Sequence, residues 1–152
     1  MQAAREKCLR LLAARARSAA ELRQRLRAGG FAEGVIEGVL ADLAAAGLVD
    51  DAEFARAWVA SRQAAGGMGR ERLRWELRRK GVSKELIGRV LEEAVSEEME
   101  LGQALALARK RLTRAPQDAK SLARLRRLLL SRGFGFGTVE MVMRRVVSEE
   151  ES

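Results

Sequence analysis

The sequence contains no histidine and no tyrosine, and only one cysteine and one proline among its 152 residues. Without histidine there is no imidazole to act as a general base near neutral pH, and a single cysteine gives no plausible zinc site. We therefore predict no catalytic residue, no metal and no cofactor, and interpret the protein as a non-enzyme. Lone Cys8 cannot form an internal disulfide, which fits a cytoplasmic protein, and its leucine-rich surroundings predict a buried position.

Long apolar runs are also absent, since no stretch approaches the roughly 18 consecutive apolar residues of a membrane span. We therefore expect neither a signal peptide nor a membrane-spanning helix. Aromatic residues make up only 4% of the chain, whereas alanine, leucine, arginine and glutamate dominate it. Those four residue types are strong helix formers, so the composition predicts an all-α protein.

Positive charge is what the sequence has in excess, with a net charge of +8 and a pI of about 10.9. A polyanionic partner is the first interpretation of such a balance, and a solvated surface that happens to favour arginine is the alternative. On the first interpretation, we expect weak, sequence-independent binding to single- or double-stranded DNA that fades as salt rises.

One pattern of leucine and glycine occurs three times along the chain. The copies are Leu22-xxx-Leu26-xxx-Gly30, Leu73-xxx-Leu77-xxx-Gly81 and Leu125-xxx-Leu129-xxx-Gly133. Such internal repetition predicts a series of similar structural units. We expect an elongated array of three tandem three-helix, helix-turn-helix-like repeats, at residues 1–49, 50–96 and 97–147, with an acidic C-terminal tail at 148–152.

Helix boundaries are predicted from caps and glycines. The middle helix of each repeat should end at its repeat glycine, in the left-handed conformation that glycine adopts freely. Ser18-Ala-Ala-Glu21 and Asp50-Asp-Ala-Glu53 match the capping-box pattern of a helix start. The linkers are predicted at residues 65–69 and 113–118, the second of which contains Pro116.

Helix pairs joined at a glycine are also typical of helix-turn-helix transcription regulators. In such a protein the third helix of each repeat would enter the major groove, yet acids outnumber bases in that helix in the first two copies. An acidic helix is repelled by phosphate. The middle helices carry the positive charge instead, although a regulator of this class remains the alternative function.

The segment GRERLRWELRRKG at residues 69–81 contains six basic residues and two acids in thirteen positions. On a helical wheel Trp75 points away from the apolar stripe of Leu73 and Leu77, so it is either a contact residue or covered by a neighbouring repeat. Arginine suits bidentate contact with carboxylates or phosphates, although these side chains could equally be passive. The candidate contact residues are Arg23, Arg25, Arg70, Arg72, Arg74, Trp75, Arg78, Arg79, Lys80, Arg124, Arg126, Arg127 and Arg132.

Three segments together resemble one known family. They are Arg17-Ser-Ala-Ala-Glu-Leu22, Gly47-Leu-Val-Asp-Asp-Ala-Glu-Phe-Ala55 and Gly69-Arg-x-Arg-Leu-Arg-x-Glu-Leu-x-x-Lys-Gly81, with Arg132-Gly-Phe134 in the third copy. Their order and spacing are similar to those of the RecX regulatory proteins over about residues 8–147. Met68, with its glycine-rich approach, departs from the pattern where the family varies.

The resemblance implies a bacterial cytoplasmic protein built from tandem three-helix repeats. It implies a partner as well, the RecA recombinase filament on single-stranded DNA, whose strand exchange, ATP hydrolysis and coprotease functions RecX proteins restrain. We expect the protein to be a monomer, and we expect no interaction with a membrane. A plain structural adaptor remains a third possibility.

Overall fold

The computed structural model describes residues 1–113 and 118–151, and all regular structure in these residues is α-helical. The turn predicted around Pro116 and the last residue, Ser152, lie outside the described residues. The described helices are α1 (Gln2–Ala14), α2 (Ala19–Ala28), α3 (Glu33–Ala45), α4 (Asp51–Ala65), α5 (Arg70–Arg79), α6 (Lys84–Ala94), α7 (Glu97–Leu112), α8 (Ala119–Ser131) and α9 (Phe136–Glu151).

The all-α fold class predicted from composition is confirmed, since the described residues form helices and no strands. The last helix runs on to Glu151, so residues 148–151 of the predicted acidic tail continue α9. The boundaries of the three repeats stay a prediction.

Side-chain caps begin the helices where the sequence indicates. The hydroxyl of Ser18 accepts a hydrogen bond from the backbone N–H of Glu21, and the Glu21 carboxylate accepts one from the backbone N–H of Ser18. At the start of α4, the Asp50 carboxylate accepts hydrogen bonds from the N–H groups of Ala52 and Glu53. These caps satisfy backbone donors that have no partner inside the helix.

The middle helices end at left-handed glycines, as predicted. Gly30, Gly81 and Gly133 have φ angles of 82°, 84° and 87°. In each copy the residue after the glycine donates its N–H to the carbonyl of the second repeat leucine, at 3.1 to 3.2 Å. This is the Schellman arrangement, which satisfies the last carbonyls of a helix.

The chain divides into two compact units, and the first comprises Met1–Trp58 and Leu77–Val90. Its core lies where α1, α2 and α3 meet, and Cys8 is fully buried there, as predicted. Burial raises the pKa of the Cys8 thiol, which keeps it in the neutral form expected of a core residue. The buried residues of this core are Ala4, Cys8, Leu22, Leu26, Ile36, Val39, Leu40, Leu43 and Val49.

The second unit comprises Val59–Glu76 and the chain from Leu91 onward. Its core lies between α7, α8 and α9, with the repeat leucines of α8 at its centre. Phe134, which follows the left-handed glycine, is 2% exposed and packs in this core. The buried residues are Ala104, Leu105, Ala108, Leu125, Leu129, Phe134, Val139, Val142, Met143 and Val146.

Within the first unit, the start of α2 meets the turn that ends α5. The Ser18 hydroxyl donates to the Lys80 carbonyl oxygen at 2.5 Å, and the Lys80 ammonium lies 3.5 Å from the Glu21 carboxylate. The repeat glycine of this turn is required because a Cβ at Gly81 would overlap the methyl group of Ala20. The cap of α2 therefore also satisfies a carbonyl at the end of another helix.

Within the second unit, backbone groups join the start of α5 to the turn that ends α8. The N–H of Gly69 donates to the Arg132 carbonyl at 2.8 Å, and the N–H of Glu71 donates to the Gly133 carbonyl at 3.0 Å. A Cβ at Gly133 would overlap the backbone nitrogen of Arg72. Two orphan donors of one helix thereby satisfy two orphan acceptors of another.

Candidate interaction surface

An arginine follows the first repeat leucine in every copy, and in two copies it pairs with a glutamate fourteen residues later. In the first copy the Arg23 Nε lies 2.8 Å from the Glu37 carboxylate. In the third copy Arg126 forms the equivalent ion pair with Glu140. These two arginines therefore join the middle helix of their repeat to its third helix.

The second copy lacks that acid, because the residue fourteen positions after Arg74 is Gly88. A Cβ at Gly88 would meet no other atom within 4 Å. Arg74 instead pairs with Glu71, three residues earlier on α5 itself. An exposed pair one turn apart on a helix contributes only a few tenths of a kcal/mol, so it is easily exchanged for another partner.

Trp75 is the exposed aromatic residue of α5, with 49% of its surface accessible. The Arg72 guanidinium carbon lies 4.5 Å from the centroid of its ring, which is cation–π geometry. The two repeat leucines of α5 are fully buried, so Trp75 lies outside the core, as its place on the helical wheel indicates. Trp75 and Arg72 therefore place an aromatic ring and a guanidinium in contact with each other at the protein surface.

Arg78 and Arg79 extend this surface, because residues three and four positions after Trp75 lie on the same side of a helix. Both are exposed. Arg78 forms no ion pair with any carboxylate in the described part of the chain. We call Arg72, Arg74, Trp75, Arg78 and Arg79 the α5 surface.

Two candidates in the basic segment at residues 69–81, Arg70 and Lys80, make contacts within the protein instead. Arg70 donates to the Val95 carbonyl and lies 3.3 Å from the Glu100 carboxylate, which is 7% exposed. Lys80 pairs with Glu21 and lies 5.2 Å from the centroid of the Trp58 ring. Their cationic groups are engaged within the protein, so the basic segment separates into structural and outward-facing residues.

The remaining candidates lie on α2 and α8. Arg25, Arg124 and Arg127 are exposed, and none forms an ion pair with a carboxylate of residues 1–113 or 118–149. Arg132 is half-buried and donates to the Gly67 carbonyl at 3.4 Å. The structure therefore does not bring all thirteen candidates into one cluster of equivalent groups.

Ion pairing also shifts the pKa values of the acids that α2 engages. The hydrogen bond from Arg23 lowers the pKa of Glu37, and the one from Arg27 lowers the pKa of Glu33. The hydrogen bond between Arg23 and Glu37 also raises the pKa of the Arg23 guanidinium. The arginines of the first middle helix thus have defined carboxylate partners on α3.

The partner acids Glu37 and Glu140 were missed by reasoning from the sequence, although the signal was present. The spacing of fourteen residues between arginine and acid is the same in the first and third copies, and glycine breaks it in the second. A comparison of the third helices across the copies would have separated the paired arginines from Arg74.

Among the described residues, no helix is both long and apolar enough to cross a membrane.

Similarity to known proteins agrees with this architecture. A family model described as the first three-helix domain of RecX matches residues 4–43, and one described as the second matches residues 50–91. The crystal structure of RecX from Lactobacillus salivarius has a TM-score of 0.88 and covers 95% of this chain and 94% of its own. Its sequence identity is 18%, so this likeness supports the fold alone.

Sequence relatives extend over nearly the whole chain. The regulatory protein RecX of Mycobacterium avium (strain 104) is 41% identical over 152 residues, which are 97% of this chain and 87% of that protein. The regulatory protein RecX of Amycolatopsis mediterranei (strain U-32) is 43% identical over 148 residues, covering 96% and 84% of the two chains. This chain therefore belongs to the RecX family of regulatory proteins.

Proposed function

We propose that this protein binds the filament that the RecA recombinase forms on single-stranded DNA, and that it restrains strand exchange, ATP hydrolysis and coprotease activity without catalysing a reaction itself. The observation that carries the proposal is the α5 surface. It combines a half-exposed tryptophan, a guanidinium on its ring and an exposed arginine without a carboxylate partner among the described residues.

Such a surface suits a large anionic partner. Tryptophan and arginine are the residues most enriched where interfaces derive their binding energy. A guanidinium can form paired hydrogen bonds with a carboxylate of a protein or with a phosphate of DNA. A filament of recombinase on DNA offers both kinds of group, which a single-component partner does not.

The test is the rate of ATP hydrolysis by recombinase on single-stranded DNA while this protein is titrated in. We expect the rate to fall at or below one molecule of this protein per recombinase protomer, and strand exchange to fall with it. An unchanged rate at several-fold excess over recombinase would contradict the proposal.

Variants connect the inhibition to the α5 surface. We expect the double substitution Trp75→Ala and Arg78→Glu to weaken inhibition at least about tenfold, the equivalent of roughly 1.4 kcal/mol of contact energy. Arg10→Glu is the matched control, because Arg10 is exposed, lies on α1 and is not a candidate contact. Equal inhibition by both variants would remove α5 from the interface.

Binding to DNA without recombinase separates this function from the alternative. We expect weak affinity for any DNA sequence and a steep loss of binding as salt rises, because released counterions drive the association. Tight binding to one duplex sequence that survives moderate salt would favour a helix-turn-helix transcription regulator instead.

A further inference from the structure

The second unit contains a broad groove bordered by the end of α4, by α7 and by α8. Its volume is about 1120 Å³, which exceeds the roughly 300–1,000 Å³ of a typical small-molecule site. The lining residues come from Gln63–Gly67, Met99–Leu112 and Ser121–Arg132. A groove of this size fits a segment of another macromolecule better than a metabolite.

The floor of the groove is aliphatic. Leu125 is buried, whereas Leu107, Leu112 and Leu128 keep part of their surface accessible. In residues 1–113 and 118–149, no aromatic residue lines the groove. Sites for single-stranded nucleic acid stack bases on aromatic rings, so this floor suits aliphatic side chains of a protein rather than bases.

The rim carries only positive charge. Lys110, Arg111, Arg124 and Arg132 line the groove, and no aspartate or glutamate of the described residues does. Lys110 and Arg111 form no ion pair with a described carboxylate. The charge of Arg124 acts on the Asp118 carboxylate that caps α8, and Arg132 donates to the Gly67 carbonyl. An apolar floor beneath a cationic rim complements a segment with one apolar face and acidic residues beside it.

We propose that this groove binds an acidic amphipathic segment of a partner protein, with the aliphatic side chains of that segment on the leucine floor and its carboxylates on the rim. Laying the apolar face of a helix into an apolar groove is a common mode of peptide recognition. Gly102 and Ala106 lie one turn apart on α7, line the groove and are exposed, so they leave room for a close approach.

The experiment measures the fluorescence anisotropy of a labelled peptide of about 16 residues as the full-length protein is added. The peptide carries leucine at positions i, i+3, i+4 and i+7 and glutamate on the remaining face. A second peptide of equal charge replaces the leucines with serine, and labelled oligothymidylate represents nucleic acid. No recombinase is present, so the outcome is independent of the proposed function.

Two variants remove the groove by different means. Gly102→Trp fills it with a ring, and this substitution is sterically tolerable because a Cβ at Gly102 would meet no atom within 4 Å. Lys110→Glu combined with Arg124→Glu reverses the charge of the rim. The matched controls are Gly102→Ala, which leaves the groove open, and Arg127→Glu, which changes an exposed arginine of α8 outside the groove.

We expect both groove variants to bind the amphipathic peptide at least about tenfold more weakly, with the two controls within about twofold of the original protein and all melting normally. The serine peptide should bind at least about tenfold more weakly than the leucine peptide. The proposal is overturned if the two peptides bind equally, if neither groove variant weakens binding, or if oligothymidylate displaces the peptide.

Discussion

The middle helices α2 and α5 occupy equivalent positions in successive copies, yet they begin differently. Each starts against a left-handed glycine that ends another middle helix. α2 makes this contact with side chains, through the Ser18 hydroxyl on the Lys80 carbonyl. α5 makes it with backbone, through the N–H groups of Gly69 and Glu71 on two successive carbonyls. The same junction can therefore be built from a capping serine or from a glycine.

The two helices also differ in what their arginines contact. On α2, Arg23 and Arg27 pair with Glu37 and Glu33 of α3. On α5, the equivalent of Glu37 is Gly88, and Arg78 has no partner among the described carboxylates. Arginines that look alike in the sequence thus join α2 to α3 in the first copy, whereas on α5 Arg74 pairs within its own helix. The difference lies in the acids of the third helix rather than in the arginines.

The largest expected effect concerns the glycines at the junctions. We expect Gly133→Ala to lower the free energy of unfolding by about 3 kcal/mol or more, Gly81→Ala by about 2 and Gly30→Ala by about 1. All three have positive φ, but a Cβ would meet backbone at Gly133, only a methyl group at Gly81 and nothing within 4 Å at Gly30. Urea denaturation measures the series, and equal losses would show that φ alone matters.

The next effect tests the side-chain version of the junction. Ser18 is fully buried, and Ser18→Ala removes both the cap of α2 and the bond to the Lys80 carbonyl. We expect Ser18→Ala to lower the free energy of unfolding by about 1–2 kcal/mol. Ser83→Ala is the control, because Ser83 caps α6 from an exposed position. We expect it to lower the free energy of unfolding by less than Ser18→Ala does. If the two cost the same, the bond to Lys80 contributes nothing.

Acid stability tests the charge at the same junction. Burial raises the pKa of Glu21, but the hydrogen bonds from Arg15 and Ser18 and the charge of Lys80 outweigh it, so the net pKa is lowered. A lowered pKa stabilises the fold above the ordinary value of 4.5, and this contribution is lost as pH falls through the lowered value.

Glu21→Gln keeps the capping box but removes the charge. We expect this variant to be about 1 kcal/mol less stable at pH 7, with the difference shrinking once the pH falls below the ordinary carboxyl value of 4.5 and vanishing as the pH falls through the lowered pKa of Glu21. Thermal melts across this range measure it. A difference that stays constant with pH would mean that the Glu21 charge is not involved.

A smaller effect on stability distinguishes the α5 surface from the core. Trp75→Ala should change the free energy of unfolding by less than about 1 kcal/mol, as is usual for a surface substitution. Leu77→Ala, two residues further along α5 and fully buried, should cost about 2–5 kcal/mol. Chemical denaturation compares the two. A loss at Trp75 as large as that at Leu77 would mean that its ring contributes to packing.

The smallest expected effect comes from breaking the pair that α2 has and α5 lacks. Glu37→Gln releases Arg23 from its carboxylate, so we expect affinity for single-stranded DNA to rise about twofold at low salt. Glu6→Gln is the control because it makes the same charge change at an exposed acid of α1. Equal gains would show that net charge, and not the release of Arg23, sets the affinity.

Much of this architecture follows from the sequence by itself. The spacing of Leu22 and Leu26 places both on one helical face, and both are buried. Gly30 ends its helix because a left-handed φ is open to glycine, and Ser18 begins one because its hydroxyl reaches the N–H of Glu21. These features depend on residues within a few positions of each other, so the local chain determines them.

The tertiary structure decided which cations are available. Arg70 and Arg78 are the same residue type at the two ends of one basic helix, and the sequence alone does not separate them. In the structure Arg70 contacts Val95 and Glu100, whereas Arg78 is exposed. The groove beside Gly102 likewise exists only because α4, α7 and α8 border one space. A guanidinium has a long flexible stem and accepts any nearby oxygen, so its partner depends on the packing of residues far apart in the chain.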